Sequence, residues 1–207
     1  MSIETVENIE QKLISLPSRA EAESAVKTLL AWIGENPNRE GLQDTPKRVI
    51  DAYQDFFSGY QENPETYLSK TFTETSGYRD MVLLNDLRFE SHCEHHMVPI
   101  IGRAHVAYLP DKRIVGLSKL ARVVDVFAKR LQIQESMTVQ IANAIDQALK
   151  PRGVAVVIQA NHHCMSTRGV HKTDQLTTTR HFIAAFRDDQ HLKHEFLQTI
   201  GMLPSKS

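Results

Sequence analysis

The sequence predicts an α+β fold with a helical N-terminal extension, and three observations carry that expectation. Apolar residues recur at helical spacing through the first third of the chain. From Met81 the period shortens to that of strands. Two helix-like segments then lie between two pairs of strand-like ones, so the order from Met81 reads β, β, α, α, β, β, α. The expected division is a helical region, 1–80, followed by an α+β region, 81–207, that forms one cooperative unit.

Ile3, Val6, Ile9, Leu13 and Leu16 form one face of a short amphipathic helix that Pro17 interrupts. Ala25, Leu29, Leu30 and Ile33 mark a second helix over 21–33, ended by Gly34 and the loop at 36–41. Thr45 before Pro46 is an N-cap and first-turn pair, and Val49, Ala52, Tyr53 and Phe56 continue that helix towards Gly59. Segments 81–89 and 100–109 are rich in Val, Ile, Leu and Tyr and read as antiparallel strands, with Pro110 and Asp111 after the second. Ser118 is expected to cap a helix whose face is Leu120, Ala121, Val124, Phe127, Ala128 and Leu131. Glu135 opens the next, carrying Met137, Ile141, Ala144, Ile145 and Ala148, and Pro151 and Gly153 close it. Segment 154–159 reads as a buried strand, and 177–186 alternates with Phe182, Ala184 and Phe186 on one face. Asp188 or Asp189 caps a last helix through Leu192, Phe196 and Ile200 to Gly201.

Composition narrows the function classes. Among 207 residues, 24 Lys and Arg face 25 Asp and Glu, so the net charge of −1 gives no broad basic field for a nucleic acid polymer. A polyanion has to be met by a local pocket. The 41% hydrophobic and 24% charged content is that of a chain with a real core, which excludes disorder and collagen-like repeats. The longest aliphatic run is 154–158, and the first residues are acidic without an apolar leader, so neither a membrane span nor a signal peptide is expected. Two cysteines do not make a secreted disulfide framework, and the cytoplasm is the expected compartment.

The two cysteines carry the strongest signal. Each lies inside a histidine cluster, Ser91-His92-Cys93-Glu94-His95-His96 and Asn161-His162-His163-Cys164, which together hold five of the ten histidines. Thiolate and imidazole are the ligands Zn²⁺ favours, and the three-residue step from Cys93 to His96 lets one turn present both. Cys164, at a strand end, supplies a third. Three protein ligands leave a position for water, whose pKa a catalytic zinc lowers towards about 7. Ordinary buried thiols and a redox cysteine pair are the competing readings. His92, His95, His162 and His163 are either proton carriers or supports that orient the ligands, and Glu94 is a further such support.

In Gly116-Leu117-Ser118-Lys119-Leu120-Ala121-Arg122, a helix start, a hydroxyl and two cations three positions apart suit a phosphate; Lys119 and Arg122 read equally as a solvated helix face. Arg168, four residues after Cys164, brings a guanidinium towards the metal pocket. No Gly-x-x-x-x-Gly-Lys-Ser/Thr loop occurs, so a nucleotide is not held by a P-loop. Gln134 and Glu135 match a base edge, since a carboxylate accepts from paired N–H donors such as those of guanine; Glu135 at a helix start is explained as well by the helix dipole.

These blocks, with Gln132-Ile133-Gln134-Glu135 and His162-His163-Cys164-Met165-Ser166-Thr167-Arg168-Gly169, resemble in order and spacing the GTP cyclohydrolase I family, from about Thr45 to the C-terminal helix. The resemblance implies a tunnelling fold, an antiparallel sheet backed by two helices, and conversion of GTP and water to 7,8-dihydroneopterin triphosphate and formate, the entry to tetrahydrofolate and pterin cofactors. It implies zinc on Cys93, His96 and Cys164, and ring opening at C8 of guanine with His162 protonating the adjacent nitrogen. His95 and Ser118 are implied in the later ribose steps, Gln134 and Glu135 on guanine, and Lys119, Arg122 and Arg168 on the triphosphate. Arg48 matches an arginine that reaches the phosphates from a neighbouring subunit, within a homo-oligomer of two face-to-face pentamers. Ser136, where an arginine commonly follows Gln-Glu, and Asp51, one turn after Arg48 where some members carry a base, depart from the pattern. The alternatives are a tunnelling-fold enzyme acting on a pterin or deazaguanine, and a zinc-stabilised assembly module without catalysis.

Overall fold

The computed structural model describes residues 16–73, 77–173 and 175–204. The helix expected over 3–16 falls, but for Leu16, outside them. Contacts divide the chain into two compact units, one ending at Asp55 and the other beginning at Phe56.

In the first unit, α1 (Arg19–Trp32) starts at a capping box: Ser18 Oγ accepts from the Glu21 N–H, and the Glu21 carboxylate accepts from the Ser18 N–H at 2.7 Å. The helix gives way at Gly34, where φ is +93°. Helix α2 (Thr45–Phe56) begins at the expected Thr45-Pro46 pair. Arg19 donates to Asp51 at 2.6 Å, so the two helices are joined through the acid that stands one turn after Arg48.

In the second unit, a 3₁₀ turn (Ser58–Gln61) and the short α3 (Pro64–Leu68) lead to β1 (Thr71–Phe72), which pairs with β4 (Ile114–Val115). A Cβ at Gly59 would stand 2.2 Å from the Val126 carbonyl oxygen, so only glycine allows this turn to approach α4 (Leu117–Ala128) so closely. The main sheet has the order β5-β2-β3-β6-β7: β5 (Leu131–Gln132), β2 (Val82–Cys93), β3 (Pro99–Leu109), β6 (Gly153–His162) and β7 (Thr177–Ala184). All neighbours are antiparallel except β5, which runs parallel to β2.

Alternation along the strands gives the sheet two apolar faces. Val106, Tyr108, Val156 and Ile158 pack with Leu120 and Val124 of α4 and with Met137, Ile141 and Ile145 of α5 (Gln134–Leu149). Ala107, Leu109, Ala155 and Val157 meet Phe186 of α7 (Ala185–Asp188) and Phe196 and Leu197 of α8 (Gln190–Thr199). The expected order of two strands, two helices, two strands and a helix is therefore present, as a mixed α+β unit with an antiparallel sheet and two helices on one face. None of the described helices is long and apolar enough to cross a membrane.

Local differences have physical causes. Gly116, not Ser118, is the N-cap of α4: it holds the extended conformation a cap needs (φ −61°, ψ 138°) and its carbonyl accepts from the Lys119 N–H at 2.8 Å. Ser118 is already the second helical residue and is exposed. Strand β7 stops at Ala184, at φ +49°, so Phe186 sits on α7, yet it still reaches the same apolar cluster as Phe182. Asp189 is the cap of α8, accepting from the N–H groups of His191 and Leu192.

Candidate metal centre and active site

Register brings the two cysteine clusters to one end of the sheet. His92 pairs with Pro99 across the β2–β3 hairpin, and Ile100 pairs with His162 across β3–β6. The hairpin turn and the end of β6 are thereby neighbours. Cys93 closes β2, and its carbonyl accepts from the Met97 N–H at 2.8 Å and from the His96 N–H at 3.4 Å, which folds His96 back over the strand end. Cys164 follows β6 directly, in the one-turn helix α6 (His163–Ser166).

One ligand atom from each of Cys93, His96 and Cys164 lies within 4.8 Å of the others. Tetrahedral zinc with bonds of about 2.0–2.3 Å needs donors about 3.4–3.8 Å apart, so a small contraction suffices and a fourth position stays open. Two sulfurs and an imidazole are also the donor chemistry zinc prefers. Burial, and then the adjacent Cys93 sulfur, push the Cys164 thiol above its ordinary pKa. A divalent cation between the sulfurs reverses that sign by favouring thiolates. Arg168 Nη1 lies 3.0 Å from His96 Nε2; a guanidinium only donates, so this imidazole nitrogen is the acceptor and its lone pair is turned to Arg168. His95 Nδ1 stands 3.5 Å from Cys93 Sγ.

His162 is half-buried at the end of β6, and its Nε2 lies 2.8 Å from Gln134 Oε1. Burial lowers its proton affinity while the Glu135 carboxylate opposes that shift, which places the carboxylate within electrostatic reach of the ring. Glu135 itself is exposed beside Ser136 in a shallow concavity. His92 is held apart from these groups, because its buried ring packs on Phe56 and Phe57, at centroid distances of 4.6 and 5.3 Å.

Lys119 and Arg122 share one face of the first turn and a half of α4, and both cations stand over the Tyr67 ring, at 5.9 and 5.5 Å. Arg48 belongs to the first unit, where it pairs with Asp44 at 3.2 Å on the exposed face of α2. The structure thus gathers Cys93, His96, Cys164, His95 and Arg168 in one set of contacts and His162 with Gln134 in another, where Glu135 acts on His162 through its charge. Lys119 and Arg122 share a platform that the motifs did not include. Tyr67 belongs to none of them, and the threonines behind Gln134 lie on a strand and a helix far apart in sequence.

Comparison with known proteins agrees with this geometry. Residues 22–201 match the family described as GTP cyclohydrolase I. A GTP cyclohydrolase 1 of Maricaulis maris (strain MCS10) is 56% identical over 184 residues, which cover 89% of this chain and 90% of that relative. One of Brucella abortus (strain S19) is 59% identical over 184 residues, 89% of this chain and 86% of the relative. Among solved structures, archaeosine synthase QueF-Like in its apo form aligns with 51% of this chain and 95% of its own at 17% identity, with a TM-score of 0.43, a likeness too slight to add to the assignment. With the match spanning nearly the whole chain and both cysteine clusters inside it, the chain belongs to the GTP cyclohydrolase I family of enzymes.

Proposed function

We propose that this protein converts GTP and water to 7,8-dihydroneopterin triphosphate and formate, with zinc on Cys93, His96 and Cys164. The observation that carries the proposal is the convergence of two thiols and an imidazole at the sheet end where His162 also stands, in a chain of this family. Zinc held there supplies Lewis acidity and lowers the pKa of water, which hydrolysis at C8 of guanine requires.

The chain's own residues do the rest. Protonation of the ring nitrogen next to C8 makes that carbon electrophilic, and His162, neutral near pH 7 because burial lowers its proton affinity, shuttles the proton. Glu135, exposed and acceptor-only, takes the paired N–H donors of guanine. Lys119, Arg122 and Arg168 hold the triphosphate, and Arg48 adds a guanidinium from a neighbouring subunit. A second hydrolysis releases formate, and ring closure onto the ribose carbons returns one water, so one water is consumed overall. His95 and Ser118 serve those later proton transfers. The fold is read as the tunnelling fold, assembled as a homo-oligomeric ring of two pentamers. In support, α1 leaves Trp32 81% exposed beside Leu29 and Ile33, an apolar stripe that association would bury.

The test is release of formate and, after oxidation, a fluorescent pterin from GTP by the purified protein, with zinc counted in the same preparation. Product at about one zinc per chain is expected, the stoichiometry of a single three-ligand site. Zinc without product would refute the reaction and leave the metal site.

A further inference from the structure

We infer that Gln134 is a positioning residue, which fixes the His162 imidazole with hydrogen on Nε2 and leaves Nδ1 as the nitrogen that exchanges a proton with substrate. The inference rests on the proposed role of His162 as proton carrier.

The amide of Gln134 is 1% exposed, enclosed where α5 meets β6 and β7. Its Nε2 lies 3.1 Å from the Ile158 carbonyl oxygen, 3.0 Å from that of Thr177 and 3.1 Å from Thr179 Oγ1. Main-chain carbonyls only accept, so the NH₂ end must face them, and the oxygen end must face His162. Oε1 is itself only an acceptor. At 2.8 Å from it, His162 Nε2 must carry the hydrogen.

The hydroxyls behind the amide agree with this orientation. Thr138 Oγ1 stands 2.7 Å from the Gln134 carbonyl oxygen and spends its single hydrogen there. Thr179 Oγ1, at 2.6 Å, therefore donates to Thr138 and accepts from Gln134 Nε2. The amide has two hydrogens for three oxygens, so one hydrogen is shared, and the Thr179 hydroxyl is the acceptor that also donates, to Thr138. Turning the amide over would set Oε1 against three oxygens in a site without solvent, which is the costly alternative.

Two consequences follow for the reaction. The neutral ring has its lone pair on Nδ1, so proton transfer to and from the substrate runs through that atom. An amide already bonded on both ends and fully buried has no edge to offer guanine. Base recognition then falls to Glu135, which lies about 100° further round the helix and is exposed. Gln134 thus acts on the histidine, and not on the base as the family resemblance implies.

The experiment uses zinc-loaded full-length protein. Gln134→Met keeps the volume and removes the side chain's hydrogen bonds, and it is expected to lower kcat about 10- to 100-fold, the usual size of an orienting contact, with KM for GTP nearly unchanged. Thr179→Val, which does not touch His162, is expected to lower kcat less, again without a change in KM; it serves if Gln134→Met fails to fold. A base reader behaves oppositely, so a rise in KM at preserved kcat overturns the inference. Solid-state NMR of ¹⁵N-histidine protein reads the tautomer without turnover. The His162 signal, identified by its loss in His162→Ala, is expected as Nε2–H in the parent and as a tautomer mixture in Gln134→Met. An Nδ1–H parent overturns the inference. A parent that shows Nε2–H but leaves GTP intact refutes the proposed reaction and not the positioning contact.

Discussion

At the scale of single residues, the proposed roles separate holding a metal from moving a proton. Cys164 and His162 are two positions apart on either side of the β6 end, yet only Cys164 lies among the convergent donors, while His162 is turned towards Gln134. Cys164→Ala is therefore expected to lose zinc and turnover together. His162→Ala is expected to keep zinc and lose at least about 100-fold in kcat, the usual share of a general acid or base. Zinc counting and formate release on both variants check this, and equal zinc loss would show the assignment of His162 to be wrong. Glu135 permits a different separation. Replacing its carboxylate by an amide presents a donor to one guanine N–H, so Glu135→Gln is expected to raise KM for GTP by more than about tenfold, as loss of a matched buried hydrogen-bond pair does. Zinc content should stay as in the parent. Initial rates over a range of GTP concentrations decide it, and an unchanged KM would remove Glu135 from the base.

Single elements carry further consequences, of which the bulge in β2 is the clearest. The pairing of β2 with β3 shifts between Leu84 and Leu87, and Asp86 there has φ +58°. Into this bulge projects His105, whose Nδ1 contacts Asn85 Oδ1 and accepts from the Asp86 N–H at 3.3 Å, while Nε2 is buried without a hydrogen-bond partner among the described residues. Burial lowers its pKa and the Asp86 carboxylate opposes the shift; Arg103 in turn pairs with Asp86 at 3.4 Å. The sign follows from linkage. A histidine with a depressed folded pKa binds fewer protons folded than unfolded, so its contribution to stability is complete above the ordinary value of about 6.5 and is lost as pH falls below it. Urea midpoints are expected to drop between about pH 7 and 5, and to drop less in His105→Gln, which cannot charge. Parallel curves for the two proteins would absolve His105. The sequence showed the histidine but not its burial, because β3 is covered on both faces from Ala104 onward, where alternation no longer separates buried from exposed positions. Longer elements were legible from period alone, as with Met137, Ile141 and Ile145 on α5. The paired strands β1 and β4 were not, since two residues carry no period. Strand β2 runs on to Cys93 through Glu90, Ser91 and His92, polar residues that look like a turn until β3 and β5 supply their partners. The cysteines announced the candidate metal site by rarity, whereas the Gln134 amide needed three distant acceptors to define its orientation.

At the scale of the whole molecule, the question is whether metal holds the fold or only the chemistry. The second unit has an apolar cluster on each face of its sheet; of the three candidate ligands Cys93 is built into one of them and Cys164 packs against the same one, while His96 is in neither. His96 is exposed and Cys164 half-buried at the sheet end. Tyr108, Phe89, Ile141, Phe186 and Phe196 are fully buried, and each such side chain contributes about 1.5–3 kcal/mol of burial free energy. Stability is thus spread over two faces, and the cluster on one of them contains none of the three candidate ligands. The ligands also keep partners of their own, His96 with Arg168 and Cys93 with His95, so losing an ion does not strand their polar atoms. This differs from small zinc domains, in which metal binding is the folding free energy. Chelation is therefore expected to abolish formate release while leaving the far-ultraviolet circular dichroism and a cooperative unfolding transition in place, with a Tm lowered only by the lost binding linkage. Returning zinc should restore turnover without a refolding step. Collapse of the dichroism on chelation would instead make the ion structural, and would move the protein from an enzyme with a metal at its rim to an assembly that the metal folds.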